Sequence, residues 1–287
     1  MASSSPDSTT AKVKIPFTGA PSTLLITLYS RCLDALAPIP HLNDQHVTNI
    51  VPNVDYDFSQ LGITAGTVAT VVLRSKLLDD WITDFLSKHS SATVLHLACG
   101  LDTRALRLKW GEGVRWIDID LPEVVEVRRK LVPEPEGGRD YTLLAGSVTD
   151  PEFVMTLPND RPTVVVMEGL TMYLEPEDGK KMISVVCGHL EKEGGELVLD
   201  CLGWLALSIQ GFYHFTKQTS STLRWAIDDT KVLQEEHKGL EVLDVVPLCS
   251  LNEAGRWPFF HAGKPFMWIG RYFAATRGFI RYLRYRF

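Results

Sequence analysis

Between Thr93 and Cys201 the chain strings together five compact apolar runs, TVLHLA, VRWIDID, YTLLAG, TVVVME and GELVLDC. Each is rich in Val, Ile, Leu or aromatics and is bounded by Gly, Pro or Asp, the pattern of short buried strands. Helical spacing fills the intervals. In LPEVVEVRRKLV the residues Val124, Val127 and Leu131 fall three and four apart behind Pro122, which suits a first helical turn. In PEDGKKMISVVCGHLEK the stripe is Met182, Val185, Val186, His189 and Leu190, opened by Pro176, Glu177 and Asp178. Strands alternating with helices imply a mainly parallel sheet covered on both faces, a doubly wound α/β domain.

At 287 residues, 45% hydrophobic and 22% charged, the chain is long enough for one large domain. The expected organisation is a disordered tail over 1–15 and a single domain over 16–287. Its parts are a helical N-terminal cover (16–90), a ligand-binding core (91–201), an aromatic inserted lid (202–238) and C-terminal strands (239–287). The helical cover rests on Leu77, Trp81, Ile82, Phe85 and Leu86, which share one helix face. Alternation in RGFIRYLRYRF predicts a final strand with Phe279, Leu283, Tyr285 and Phe287 on one face together with Arg281, and Arg284 and Arg286 on the other; the alternative is a basic amphipathic helix resting on anionic lipid.

A net charge of -6 argues against a nucleic-acid binder. No apolar run approaches a bilayer span, and MASSSPDSTT lacks the basic start and apolar core of a secretory signal. Five cysteines without a CxxC pair suit a reducing compartment, so a cytoplasmic location is expected. The eight histidines show neither HxxxH nor HExxH spacing, and no metal is expected. Nothing in the sequence implies an oligomeric state.

The stretch VLHLACGLDTRALRL, Val94 to Leu108, narrows the function. An apolar run ends abruptly in Ala98, Cys99 and Gly100, where small side chains let a ligand approach the backbone at the carboxyl edge of the sheet. About twenty residues after the glycine, Asp120 ends the second strand, where a carboxylate can accept both hydroxyls of a ribose. Alone, Gly100 could merely make a turn and Asp120 merely cap a helix. Together they favour a nucleoside. The GxGxxG of pyrophosphate-binding turns is missing, so a nucleoside without phosphates fits better. His96 reads as a core histidine with a satisfied ring, and Cys99 as a buried thiol rather than a nucleophile.

A sheet with one small-residue turn and an acidic second strand end resembles the Rossmann-like class I methyltransferases, whose cofactor is S-adenosyl-L-methionine. The likeness becomes specific in LACGLDTRALRL, which resembles the GxGxDTRxxRL element of the leucine carboxyl methyltransferase family. LRSKLLDDWI, WIDIDLPEVVEVRRKL, LLAGSVTDP and VVVMEGLTMYLEPE resemble further family elements in order, over roughly Asn43 to Cys201. VDYDFSQL, DLPEVVEVRR and Ser147 look more like the tetracenomycin-type polyketide O-methyltransferases than the members that methylate a protein phosphatase. By this resemblance Arg74 is expected to meet the cofactor's methionine carboxylate, and Ala98 to Gly100 to lie under its amino-acid part. Asp120 should hold the ribose, Ser147 and Val148 flank the adenine, and Glu168 receive the ammonium group.

Two departures stand out. Ala98 replaces the first glycine of the usual turn and is expected to crowd the cofactor. Ser147 stands where protein-methylating relatives carry Asp, so the adenine amino group is expected to lose a charged acceptor. The implied reaction is methyl transfer to a carboxylate or phenolic hydroxyl of a small hydrophobic, polyketide-like metabolite. Tyr173 and His214 are the candidate acid–base residues. Trp204, Phe212 and Tyr213, with Phe215 and Trp225, are expected to wall an aromatic acceptor pocket. Competing functions are a methyltransferase-fold lyase or cyclase, a protein C-terminal carboxyl methyltransferase, and a non-catalytic binding subunit.

Overall fold

The computed structural model describes residues 11–16, 19–213, 219–251 and 278–287. Seven strands form the central sheet. In chain order they are β1 (Ala92–Leu97), β2 (Val114–Asp120), β3 (Asp140–Ala145), β4 (Thr163–Met167), β5 (Gly195–Leu202), β6 (Glu241–Pro247) and β7 (Ile280–Arg286). Their spatial order is β3-β2-β1-β4-β5-β7-β6, and only β7 runs antiparallel to its neighbours. Strand order reverses between β1 and β4, so a crevice opens beyond their carboxyl ends, where such sheets bind ligands.

The five apolar runs are the first five strands. β1 and β4 are buried at every residue, as expected of strands covered on both faces. The helices that position the site are α1 (Leu24–Ala35), α2 (Ala65–Lys88), α3 (Arg104–Arg107), α4 (Pro122–Leu131) and α5 (Pro176–Leu190). On α2, the Thr64 side chain caps the start by accepting from the Thr67 amide at 3.2 Å. The helix stops at His89, which takes an extended conformation. It buries Leu78, Trp81, Ile82 and Phe85 against Val94, Val164, Val166 and Val198. Those four side chains contribute roughly 6–12 kcal/mol by transfer from water. On the opposite face, α5 packs Met182, Ile183, Val186 and Leu190 against β1, β4 and β5.

β7 confirms the expected terminal strand, and both of its faces are covered. Leu283 and Tyr285 join the α5-side core. On the α2 side, Arg284 is buried in ion pairs with Glu196 at 2.6 Å and Asp84 at 2.5 Å. Val13–Lys14, which the sequence places in the tail, pairs in parallel with Val54–Asp55. Val13 and Ile15 hold this segment by packing on the cluster around Leu25, Val47 and Val54. The segment between β5 and β6 carries short helices at Trp204–Ser208 and Lys231–Glu236. The Gly19 amide bonds the Thr219 carbonyl at 2.7 Å, so the chain before α1 meets that segment. No helix among the described residues is long and apolar enough to cross a membrane.

Candidate active site

A cavity of about 800 Å³ lies over the carboxyl ends of β1, β2, β4 and β5. The strand-to-helix turn after β1 forms its floor. Ala98 and Gly100 both take the left-handed conformation, at φ 54° and 51°. Gly100 adopts it at no steric cost, whereas Ala98 pays about 1–2 kcal/mol for its Cβ. The turn therefore keeps a shape glycine would take more easily, with one methyl added.

Asp120, at the end of β2, reaches this turn. Its two oxygens accept from the Gly100 amide at 2.6 Å and the Leu121 amide at 2.7 Å. Burial raises its pKa above the ordinary aspartate value, and the two amides partly offset the shift. Gly146 ties the next loop back through its amide to the Asp120 carbonyl at 2.9 Å, which brings Ser147 and Val148 to the cavity wall. The Ser147 hydroxyl lies 2.8 Å from that of Thr149.

The conspicuous DTRALR sequence turns out to hold the turn from behind. Asp102, Thr103 and Arg104 are buried, and Arg107 carries a buried side chain. The Arg104 amide bonds Asp102 at 2.7 Å, while its guanidinium joins Asp79 on α2 and Glu168 after β4, both at 2.5 Å. Arg107 doubles this link, bonding Asp79 at 2.7 Å and Asp102 at 2.6 Å. Thr103 bonds Asp44, and Arg31 of α1 pairs with Asp102 at 2.9 Å. Under the floor, Arg128 of α4 donates to the carbonyls of Gly100 and Asp102 and pairs with Asp118. His96 bridges Asp118 and Arg104, each at 3.3 Å, the satisfied core ring expected of it.

At the far side of the switch point, Glu168 accepts from Arg74 at 3.1 Å, Ser75 at 2.9 Å and Arg104. Burial works against its charge, but Arg104 and Arg74 hold its pKa down to about 2. Arg74 also donates Nη1 to Asp200, the last buried carboxylate of β5, at 2.8 Å. Asp200 accepts the Gly169 amide at 2.6 Å, where Gly169 has φ 68°. Despite burial, these two carboxylates hold Arg74 charged, its pKa raised.

Arg74, Ala98, Gly100, Asp120, Ser147, Val148 and Glu168 thus all line one cavity. The sequence alone does not single out Asp200, Arg128 or Asp79; the only signal for Asp200 is a carboxylate ending an apolar run, LVLDC. Cys99 is buried and its thiol pKa lies well above the usual value because of that burial, so it stays protonated.

Beyond Arg74 the cavity turns apolar, lined by Met172, Leu202, Leu223 and Ile280. Tyr173 lines this end, with burial raising its pKa. Tyr213 lines it too, its hydroxyl bonding the Ala206 carbonyl at 2.9 Å and its pKa pushed up by burial to about 12. Phe212 sits at the rim, 88% exposed. Trp204, expected in the wall, is 54% exposed and does not line the cavity. It opens its short helix with its amide on the Asp228 carboxylate, and its ring faces outward. Trp225 is also no wall residue: it is a core wedge that fills the space a Cβ on Gly179 would need. His214 and Phe215 lie outside the described residues.

The family model for leucine carboxyl methyltransferase matches residues 43–187. The tetracenomycin polyketide synthesis O-methyltransferase TcmP of Streptomyces glaucescens is 35% identical over 95% of this chain and 98% of its own length. The chain belongs to the leucine carboxyl methyltransferase family. It is accordingly an S-adenosyl-L-methionine-dependent methyltransferase. The similarity to TcmP runs past Cys201, where the motifs legible in the sequence stop. The S-adenosyl-L-methionine-dependent methyltransferase dpfgK of Gibberella zeae is 36% identical over 82% of this chain and 84% of its own length. Among solved structures, a putative methyltransferase from Thermobifida fusca superposes with a TM-score of 0.56 at 15% identity, covering 90% of this chain and 93% of that one, a likeness of fold.

The residues present suit this cofactor. A backbone cradle of small residues faces a strand-end carboxylate with lone pairs left over, and a buried arginine lies across the same cavity.

Proposed function

We propose that this methyltransferase transfers a methyl group to a carboxylate or phenolic hydroxyl of a small polyketide-like metabolite. The observation that carries the reading is the continuity of the cavity: its polar floor at Asp120 and Gly100 runs without a partition into the apolar end at Met172, Leu202 and Leu223. One bound molecule can face the other there. TcmP, an O-methyltransferase of tetracenomycin polyketide synthesis, supports the same acceptor class. An apolar end suits a hydrophobic small molecule better than the polar backbone of a protein tail.

In this reading Asp120 holds the ribose, Ala98 and Gly100 support the amino-acid part, Ser147 and Val148 flank the adenine, and Arg74 and Glu168 meet the methionine carboxylate and ammonium. Residues 16–287 act as one catalytic domain, with 202–238 as the acceptor-side cover. When bound, the cofactor supplies a sulfonium-activated methyl group. The chain then has to align an acceptor oxygen and exclude water, and fixing two reactants in this way is worth on the order of 7–11 kcal/mol. Tyr173 and Tyr213, with pKa values raised by burial, stay protonated at neutral pH and serve as hydrogen-bonding groups rather than bases. A carboxylate acceptor needs no base, because it is already ionised. Ala98 takes the positive φ that glycine would take there, which supports a turn still shaped for the cofactor over a rearrangement catalyst that has lost methyl transfer. All five cysteines are free, in keeping with a cytoplasmic enzyme.

The test is incubation with S-adenosylmethionine and a panel of aromatic carboxylic acids and phenols, read by product mass. Gain of one methyl on any member, with S-adenosylhomocysteine formed in equal amount, supports the proposal. Isomerised or cleaved products without S-adenosylhomocysteine would overturn it.

A further inference from the structure

Tyr282 on β7 is fully buried and borders the cavity, and its hydroxyl meets no hydrogen-bond partner among the described residues. A buried polar group left unpaired in a native fold calls for an explanation. Here the hydroxyl belongs to a residue of the cavity wall, so a ligand can supply the missing partner.

Strand register identifies its surroundings. Tyr282 pairs with Asp200 across the antiparallel β5–β7 ladder, and paired residues project to the same face. Asp200 carries Arg74, and Arg74, Asp200 and Glu168 are the charges that act most strongly on the tyrosine. Most acceptor positions of that group are already engaged, one lone pair of Glu168 being left for the ammonium. Glu168 takes Arg74, Ser75 and Arg104, and Asp200 takes Arg74 and the Gly169 amide. Arg74 commits Nε and Nη1 to these contacts, and Nη2 takes part in neither. Two donors are left over beside one cavity, the Nη2 of Arg74 and the phenol of Tyr282. That is a donor set suited to the two oxygens of a carboxylate.

We propose that Tyr282 is a cofactor-binding residue whose hydroxyl donates to the methionine carboxylate beside Arg74. The inference rests on the S-adenosylmethionine reading above. It also explains why a tyrosine stands here. A neutral donor adds a hydrogen bond without disturbing the balance of Arg74 and Arg104 against Glu168 and Asp200.

The experiment is calorimetric titration of wild type and Tyr282→Phe with two ligands, S-adenosylhomocysteine and its decarboxylated analogue, which lacks only the carboxylate. The expected result is about a tenfold loss of affinity for S-adenosylhomocysteine in Tyr282→Phe, and a change within about twofold for the analogue. The melting temperature of the ligand-free variant should be unchanged or higher, because the substitution removes an unpaired buried hydroxyl. Equal weakening of both ligands, weakening of neither, or a lowered melting temperature would overturn the proposal. Wild type that binds the two ligands equally would refute carboxylate recognition itself, by Arg74 as well as Tyr282. Wild type that binds neither ligand would refute the underlying cofactor reading, so the two failures are distinguishable.

Discussion

Glu168→Gln is expected to destabilise the ligand-free protein by about 3–4 kcal/mol at neutral pH. Two routes lead to that figure. Structurally, Glu168 is the carboxylate shared by Arg74 and Arg104, with a side chain only 6% exposed. Glutamine keeps the shape, removes the charge and turns an N–H₂ group toward one of the arginines; removing one partner of a buried pair costs about 3–5 kcal/mol. Independently, the pKa is depressed from 4.5 to about 2. A depression of that size is worth about 3 kcal/mol through proton linkage. The sign follows from the depressed value: the contribution is complete above about pH 4.5 and is lost as pH falls toward 2. Urea unfolding of wild type and variant at pH 7, and at steps below pH 4.5, measures both. The gap should shrink by about 1.4 kcal/mol per pH unit in the acid range. A gap under about 1 kcal/mol at pH 7, or one that does not shrink on acidification, would rule out a stabilising buried charge at Glu168.

Ala98→Gly should leave the protein equally stable or up to about 1 kcal/mol more stable, because relief at φ 54° is partly offset by added freedom of the unfolded chain; urea unfolding checks this, and a loss above about 1 kcal/mol would contradict it. Trp204→Ala should change acceptor kcat/KM by less than about twofold, since its ring is outside the cavity; steady-state kinetics with the acceptor found by mass would reveal a larger effect. With a carboxylic acid acceptor, kcat/KM should be flat across pH 6 to 8, since the acid is ionised throughout that range; a slope of one log unit per pH unit would instead indicate a phenol that must be deprotonated.

The strands that place the site were legible because each is a compact apolar run closed by a turn residue, and Asp120 follows from its position at the end of such a run. The final strand was legible from alternation together with the resemblance to class I methyltransferases. Its second face was not, since burial of Arg284 depends on Asp84 and Glu196, far away in the chain. The same limit explains the buried charge network. Arg104 reads locally as part of a helix, and only folding brings Asp79 and Glu168 to it. The aromatic segment misled for a different reason. Residues 202–238 have no sustained period, so nothing local indicates which rings point inward, and Trp204 faces out while Trp225 enters the core. Tyr282 gives no signal in the sequence because it alternates with arginines, a pattern that resembles an exposed face, whereas in the fold α2 covers it.

In the proposed site the carboxylate ending β2 holds a ribose above the Ala98–Gly100 turn. The most direct measurement is calorimetric titration of S-adenosylhomocysteine into wild type and Asp120→Ala. Two hydrogen bonds from ribose hydroxyls to a charged acceptor should make the variant bind at least about a hundredfold more weakly. A variant that binds within about threefold of wild type would show that Asp120 does not hold the ribose.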